Sequence, residues 1–293
     1  MTRALITGST GRLGGVFLSQ WENDARFAVD TLTRADADFR DPDQLEKALK
    51  KRDYDVLINP AAMSGLEECL DHPDEAQAIN VLAPQVMAEV CREKGARFVH
   101  FSTDYVFAGH TPGKKSETNT PAPVNIYGKT KLAGEQAVMT ANADAIIARV
   151  SWLFGPCPPG RSCHFDQVLT RAMSGEPQEY IHDKFSMPSF TPDVVQWTTG
   201  LLENESASGI YHLCNSGDPE SWHSSAEKVC EIALELGIID TLTSLAALPI
   251  SDAHFFREPR PIHTAMQTNR LENEGIAQPR HWLETVAEYV KIR

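Results

Sequence analysis

Tyr127 and Lys131 stand four residues apart in Tyr127-Gly128-Lys129-Thr130-Lys131. On a helix that spacing puts both side chains on one face, where an ammonium favours the phenolate and lowers the tyrosine pKa from its reference near about 10. A phenol tuned in this way transfers protons near neutrality. Upstream, Ser102-Thr103-Asp104-Tyr105 follows an apolar run and so lies at the carboxyl end of a strand, where α/β sheets place ligands. Thr103 is then available to donate a hydrogen bond to a substrate carbonyl. Lys129 points off the Tyr127 face and is expected to be a surface lysine. Chance supplies Tyr-x-x-x-Lys often; behind a strand-end Ser-Thr and a glycine-rich first turn, the pattern is far more specific.

That first turn is Gly8-Ser9-Thr10-Gly11-Arg12-Leu13-Gly14. It follows a strand pattern and opens a helix pattern, the context in which glycines let a backbone approach a pyrophosphate at a helix N-terminus. The spacing is G-x-x-G-x-x-G rather than G-x-G-x-x-G, and a tight turn without a ligand would use the same residues. The second apolar stretch ends Thr31-Leu32-Thr33-Arg34 with no carboxylate in the last position. An acid there would accept from a ribose 2′-hydroxyl, whereas an arginine pairs with a 2′-phosphate. Arg34, with Arg12 as a second donor, tilts the cofactor toward NADPH. Asp30 leaves NADH open, and a solvated arginine at a strand end would look the same.

The elements that must position these groups alternate along the first 150 residues. Strands are expected at 3–7, 27–33, 56–58, 97–101 and 145–150. Helices are expected through Val16, Phe17 and Trp21, through Leu45 and Leu49, over 74–94 and over 129–139. Apolar β-branched strands alternating with helices make parallel β-α-β units. The expectation is therefore an α/β fold, a Rossmann-type doubly wound parallel sheet with a smaller C-terminal substrate lobe. After Trp152 the pattern loosens into a Pro- and Gly-rich region, with a late strand at 209–213 and helices at 224–236 and 282–290. The NAD(P)-binding domain is expected over 1–152 and roughly 190–215, and the substrate lobe over roughly 153–189 and 216–293.

The chain has 293 residues, 42% hydrophobic and 23% charged, which suits a full-sized core rather than disorder. Net charge is −13, with −4 in residues 1–150 and −9 in the remainder. Neither half has the basic surplus of a nucleic-acid groove, so an anionic ligand must depend on placed donors. No apolar run reaches the ~18–20 residues of a membrane span, and the first glycine comes too early for a signal peptide. A cytoplasmic location is expected. Six scattered cysteines without C-x-x-C point to reduced thiols, although Cys157 and Cys163 share one Pro/Gly-rich stretch. The histidines form no metal-ligand spacing, and no metal is expected.

Taken together, Gly8–Gly14, Ser102-Thr103-Asp104-Tyr105-Val106-Phe107 and Tyr127-Gly128-Lys129-Thr130-Lys131-Leu132-Ala133-Gly134-Glu135 resemble the extended short-chain dehydrogenase/reductases, most of all the dTDP-4-dehydrorhamnose reductase branch. Weaker similarity continues through Ser151-Trp152, Gly209–His212 and Arg260-Pro261. The resemblance implies hydride delivery from a nicotinamide to the C4 ketone of a nucleotide-linked 6-deoxyhexulose. Tyr127 would be the proton donor, Lys131 would hold the nicotinamide ribose, and Thr103 would bind the keto oxygen. Pyrophosphate would lie on Gly8–Gly14, adenine near Asp38 and Phe39, and the cofactor's middle against Ala61, Ala62 and Met63, with Asn80 as a buttress. Asp104, Tyr105 and Trp152 would adjoin the sugar nucleotide. The substrate's phosphates would need donors from among Arg161, Lys184, Arg257 and Arg260. Arg260 is favoured, although an arginine tying the lobes together would also fit. A homodimer is left open.

The substrate-side motifs depart from the family pattern. Asn-Ala-Ala-Ala is Asn59-Pro60-Ala61-Ala62, Thr-x-Val-Asp is Ser64-Gly65-Leu66-Glu67, and the Asp-Gly after Val-Phe is Ala108-Gly109. Asn-Phe is His164-Phe165, and Asp-Gln-x-Gly-x-Pro-Thr is Asp183-Lys184-Phe185-Ser186-Met187-Pro188-Ser189. These changes bear on the sugar more than on the reaction. Two other readings remain. One is a same-fold epimerase or 4,6-dehydratase, although Tyr105 stands where dehydratases place a Glu base. The other is a non-catalytic NADP-binding regulator resembling the regulatory subunit of methionine adenosyltransferase.

Overall fold

The computed structural model describes residues 1–158 and 161–292. β-Branched runs form strands β1 (Thr2–Thr7), β2 (Phe27–Leu32), β3 (Val56–Asn59), β4 (Arg97–Thr103) and β5 (Ile146–Val150), and β6 (Gly209–Leu213) joins them later in the chain. Helices α1 (Arg12–Glu22), α2 (Pro42–Lys50), α3 (Ala83–Lys94) and α4 (Ile126–Ala141) alternate with the strands. The helices α5 (His164–Ser174), α6 (Thr191–Glu203), α7 (Trp222–Glu235) and α8 (Trp282–Ile292) follow. The sheet order is β2-β1-β3-β4-β5-β6, with every pairing parallel. The winding reverses between β1 and β3, so the loops leaving their carboxyl ends diverge and open a crevice.

Pleating sorts the core into two layers. Ala4, Ile6, Ile58 and Phe101 face α1 and α6, while Leu5, Leu57, Phe98 and Ile147 face α2, α3 and α4. A buried ion pair sets α4 on the sheet: Arg149 donates from Nη2 to Glu135 Oε2 at 2.7 Å, and Ser102 Oγ donates to Glu135 Oε1 at 2.5 Å. That pair joins the middle of α4 to β4 and β5, and so settles which face of α4 meets the end of β4. The helix starts at Ile126, three residues earlier than expected, because Asn125 Oδ1 accepts the Gly128 N–H at 2.8 Å. Tyr127 therefore lies in the first turn.

The single helix expected over 74–94 is broken into Pro73–Gln77, a π-helical turn at Ala78–Leu82, and α3. Pro84 has no N–H to give the Asn80 carbonyl. Gly134 of α4 packs so close that a Cβ there would sit 2.1 Å from that same oxygen.

The region expected to be loop-rich also holds α5 and α6. Pro192 in the first turn and Asp193 behind it are start signals for α6. Phe165 and Leu169 of α5, Val229 of α7, and Trp282 and Val286 of α8 share a second core. Leu271 and Ile276, expected in the substrate lobe, pack instead on the first core beside Tyr211. No helix among the described residues is long and apolar enough to cross a membrane.

Candidate active site

Space requires the glycines that follow β1. Gly8 has φ +59°, and a Cβ there would lie 3.0 Å from the Ala61 backbone; one on Gly14 would lie 2.3 Å from the Gly8 carbonyl oxygen. Gly11 begins α1 without a side-chain cap, and the first turn has no acidic residue. The first N–H groups of α1, at the positive end of its dipole, are thus open to an anion. They border a cleft of about 840 Å³ lined by Gly8 to Gly14 (Thr10, Arg12 and Leu13 among them), Arg34, Phe39, Ala61, Ala62, Tyr127 and Lys131. A long trough of backbone and small side chains, with an uncapped helix start midway, fits a dinucleotide and its pyrophosphate.

Some residues expected on this trough are turned elsewhere. The Asp38 carboxylate is bonded to Arg40 Nη2 at 2.8 Å, and that pairing holds its pKa down at about 2. Phe39 is the neighbour that lines the cleft. The Met63 side chain is buried with Cys69 and Ala76. Asn80 accepts from Met63 N–H at 2.9 Å and donates to Met63 O at 3.0 Å and Thr130 Oγ1 at 3.1 Å, so it braces the loop after β3 from behind. Arg12, expected to join Arg34, donates to Gly155 O at 2.5 Å and to Asp166 at 3.1 Å. The buried carboxylate of Asp166 outbids solvent for its charge. Arg34 is exposed at the rim, without an ion pair among the described residues.

Tyr127 and Lys131 share one face of α4, as their spacing requires, but the ammonium is not directed at the phenol. Lys131 Nζ donates to Phe101 O at 2.7 Å and lies 3.1 Å from His100 Nε2. Burial holds His100 far below its usual range, so its ring is neutral. Its Nδ1 lies 3.0 Å from Asn59 Nδ2, and the Asn59 carboxamide oxygen accepts from Thr7 Oγ1 at 2.6 Å. Burial also pulls Lys131 down to about 8, against the opposing charge of Glu135. Burial pushes the Tyr127 phenol above its ordinary value, with only the Thr103 hydroxyl bond opposing. The expected lowering by Lys131 is therefore reversed: desolvation outweighs an ammonium that is held by other partners. At neutrality Tyr127 carries its proton.

On the substrate side, Asp104 does not face an open space. It is 2% exposed, and its Oδ2 accepts from Ser186 Oγ at 2.8 Å and Thr264 Oγ1 at 2.5 Å, which ties the end of β4 to the C-terminal segment. Tyr105 packs edge-on to Tyr127, with ring centres 5.9 Å apart. Trp152 lines a second, largely apolar cavity of about 490 Å³ together with His164, Tyr180, Trp222 and Phe255. His164, half-buried and drawn down to about 4 by desolvation, lies 3.0 Å from Trp222 O and is neutral. Arg260, the favoured phosphate donor, is paired with Glu67 at 2.8 Å and lies over the Phe256 ring at 4.0 Å. Its guanidinium links the C-terminal segment to the helix at Leu66–Asp71, the lobe-tying arrangement. Sequence reasoning gave no role to His100, and quoted Glu135 only as the end of the Tyr127–Glu135 motif; the only advance signal was a polar residue amid a buried strand or helix face.

A parallel sheet with a glycine trough at its switch point, and a Tyr-x-x-x-Lys helix across from it, is the fold of the extended short-chain dehydrogenase/reductases. Within that class the chain belongs to the RmlD substrate binding domain family, matched over residues 2–293. It is 30% identical over 294 residues to the spore coat polysaccharide biosynthesis protein SpsK of Bacillus subtilis (strain 168), covering 100% of this chain and 98% of that protein. The dTDP-4-dehydrorhamnose reductase of Salmonella typhimurium is 31% identical over 281 residues, covering 92% of this chain and 90% of the other. The crystal structure of dTDP-4-dehydrorhamnose reductase from Bacillus anthracis str. Ames in complex with NADP aligns with TM-score 0.90 at 25% identity, over 100% of this chain and 99% of that one.

Proposed function

We propose that this protein uses NADPH to reduce the C4 ketone of a nucleotide-linked 6-deoxy-4-keto-hexose, the reaction type that its dTDP-4-dehydrorhamnose reductase relatives carry in their name, one of them solved with NADP. The observation that carries this reading is a protonated Tyr127, influenced by the Thr103 hydroxyl, that lines the same glycine-bordered trough as Lys131. Gly8–Gly14 and the start of α1 hold the pyrophosphate, Arg34 the 2′-phosphate, Phe39 the adenine, and Ala61 and Ala62 the middle of the dinucleotide. Bound NADPH supplies the hydride.

Tyr127 Oη gives its proton to the ketone oxygen, and the Thr103 hydroxyl donates a hydrogen bond to that oxygen as charge develops on it. Ketone, hydride and proton together make the secondary alcohol. Lys131, fixed by His100 and Phe101, presents its remaining N–H to the nicotinamide ribose and offsets the phenolate left on Tyr127. Residues 1–152 and 190–215 form the cofactor lobe, and most of the remainder forms the substrate lobe. The reaction takes place in the cytoplasm without nucleic acid or membrane. Dehydration lacks its base: Tyr105, whose phenol burial pushes well up, occupies the position a carboxylate would need.

The test is direct. Purified protein mixed with NADPH and a thymidine-diphosphate-linked 4-keto-6-deoxyhexose is expected to consume NADPH and form the corresponding alcohol in equal amounts. NADPH binding without turnover on this or the uridine analogue would instead support a regulatory, non-catalytic member of the fold.

A further inference from the structure

Lys184 carries a charge that none of the roles above uses. It is fully buried, and its Nζ has no hydrogen-bond partner among the described residues. Three aromatic rings surround the ammonium instead: Tyr105 at 5.0 Å, Trp152 at 5.2 Å and Trp222 at 5.7 Å from their centres. Ring faces return only part of what an ammonium loses on leaving water. The nearest full charges are Asp104, already taken by Ser186 and Thr264, and Arg260, which repels it. Burial draws Lys184 down to about 8, so it remains charged at neutrality.

A second unsatisfied donor sits in the same cage. Trp152 Nε1 is buried and also has no partner among the described residues. Trp152 is, among those residues, the one non-glycine with positive φ, at +38°. Strained backbone beside two orphaned donors is the pattern of a site that a ligand completes. The position agrees. Tyr105 is the neighbour of Tyr127, whereas Trp152 and Trp222 line the second cavity, so Lys184 lies between the reacting end and the apolar end. Unlike the lysine, all three walls are partly exposed, so the cage borders solvent.

We propose that Lys184 Nζ, with Trp152 Nε1, forms a subsite for an anionic oxygen of the substrate. The proposal rests on the nucleotide-sugar reading above and adds a specificity-determining residue to it. Of the other candidate cations, Arg257 is engaged with Asp71 at 2.7 Å and Arg260 with Glu67 at 2.8 Å, while Arg161 lines the dinucleotide trough instead. Lys184 stands where the family resemblance has glutamine. A carboxamide there suits a neutral hydroxyl, while an ammonium selects a formal negative charge. The oxygen comes either from the diphosphate or from a carboxylate on the sugar.

Calorimetric titration of wild type, Lys184→Met and Lys184→Gln with four probes tests this. The probes are thymidine, thymidine diphosphate, and that diphosphate linked to a hexose or to a hexuronate. Both variants are expected to bind an anionic probe about tenfold or more weakly. Thymidine and NADPH affinities are expected to stay within about twofold, and melting temperature to hold or rise as an unpaired buried charge is removed. A loss already seen with thymidine diphosphate assigns the subsite to the diphosphate; a loss confined to the hexuronate assigns it to a sugar carboxylate. Unchanged affinity for every charged probe overturns the proposal, and a lowered melting temperature with unchanged affinity makes Lys184 a structural strut. If the wild type binds none of the four probes or their uridine counterparts, the nucleotide-sugar reading falls, and this subsite with it. Should Lys184→Met not fold, Trp152→Phe removes the indole N–H together with part of the ring wall, with an expected loss of about threefold more for the charged probe than for thymidine; equal effects on the two also count against the subsite.

Discussion

Lys131 and Lys184 are both almost fully buried, and burial draws both to about 8, yet their surroundings differ in kind. Lys131 is held by a backbone carbonyl and a neutral histidine, in an arrangement of bonds that runs back through Asn59 to Thr7. Lys184 has aromatic faces and no acceptor. The first is a charge the fold itself positions; the second is a charge the fold encloses and leaves unmatched. A rigid catalytic unit and an adaptable recognition unit can thus be told apart by whether buried donors are satisfied.

The largest effect should come from the satisfied side. Tyr127→Phe removes the proton donor and is expected to lower kcat by about 10²–10⁴-fold while NADPH affinity stays within a few-fold. Turnover near the wild-type rate would remove Tyr127 from the chemistry and collapse the distinction between the two regions. Next comes pH. An ammonium with pKa about 8 is charged below that value and lost as pH rises through it. The Lys131 limb is expected in kcat, falling about tenfold per unit above pH 8, with burial setting it against the opposing effects of Glu135 and Cys69, beside a neutral His100. A kcat flat to pH 10 would show that the Lys131 charge is not needed.

Arg34→Ala sharpens the comparison at the rim of the trough. NADPH is expected to bind about tenfold or more tightly than NADH, and the variant to erase most of that gap, since a charge-assisted pair is worth ~1.5–3 kcal/mol. Equal affinities in the wild type would leave Arg34 a solvated residue. The smallest effect is expected from Arg260→Ala. Its ion pair with a partly exposed Glu67 and its stacking on Phe256 point to a lower melting temperature by a few degrees with little change in KM. A raised KM at unchanged melting temperature would return Arg260 to the substrate site.

Much of the catalytic region is legible in the chain because its determinants are local. Strand period, the glycine turn from Gly8 to Gly14, and a tyrosine four residues before a lysine each lie within a few residues of one another. Asn125, the cap that starts α4 early, is equally local and could have been read. The broken helix before Pro84 could be read only in part, because the close approach of Gly134 to Asn80 comes from another helix.

Partner choice was not legible at all. Arg12 meets Asp166 and Arg260 meets Glu67 across 154 and 193 residues. The cage around Lys184 takes Tyr105, Trp152 and Trp222 from three separate stretches. The direction of the Tyr127 shift was equally hidden, since it depends on how much water the fold removes rather than on the spacing to Lys131. By itself the sequence determined the parallel sheet, the dinucleotide trough and the Tyr–Lys pair, through periodicity and turn chemistry over short range. Only the tertiary structure decided which charges are paired, which are desolvated and which wait for a ligand, because Coulomb and hydration energies follow distances in space.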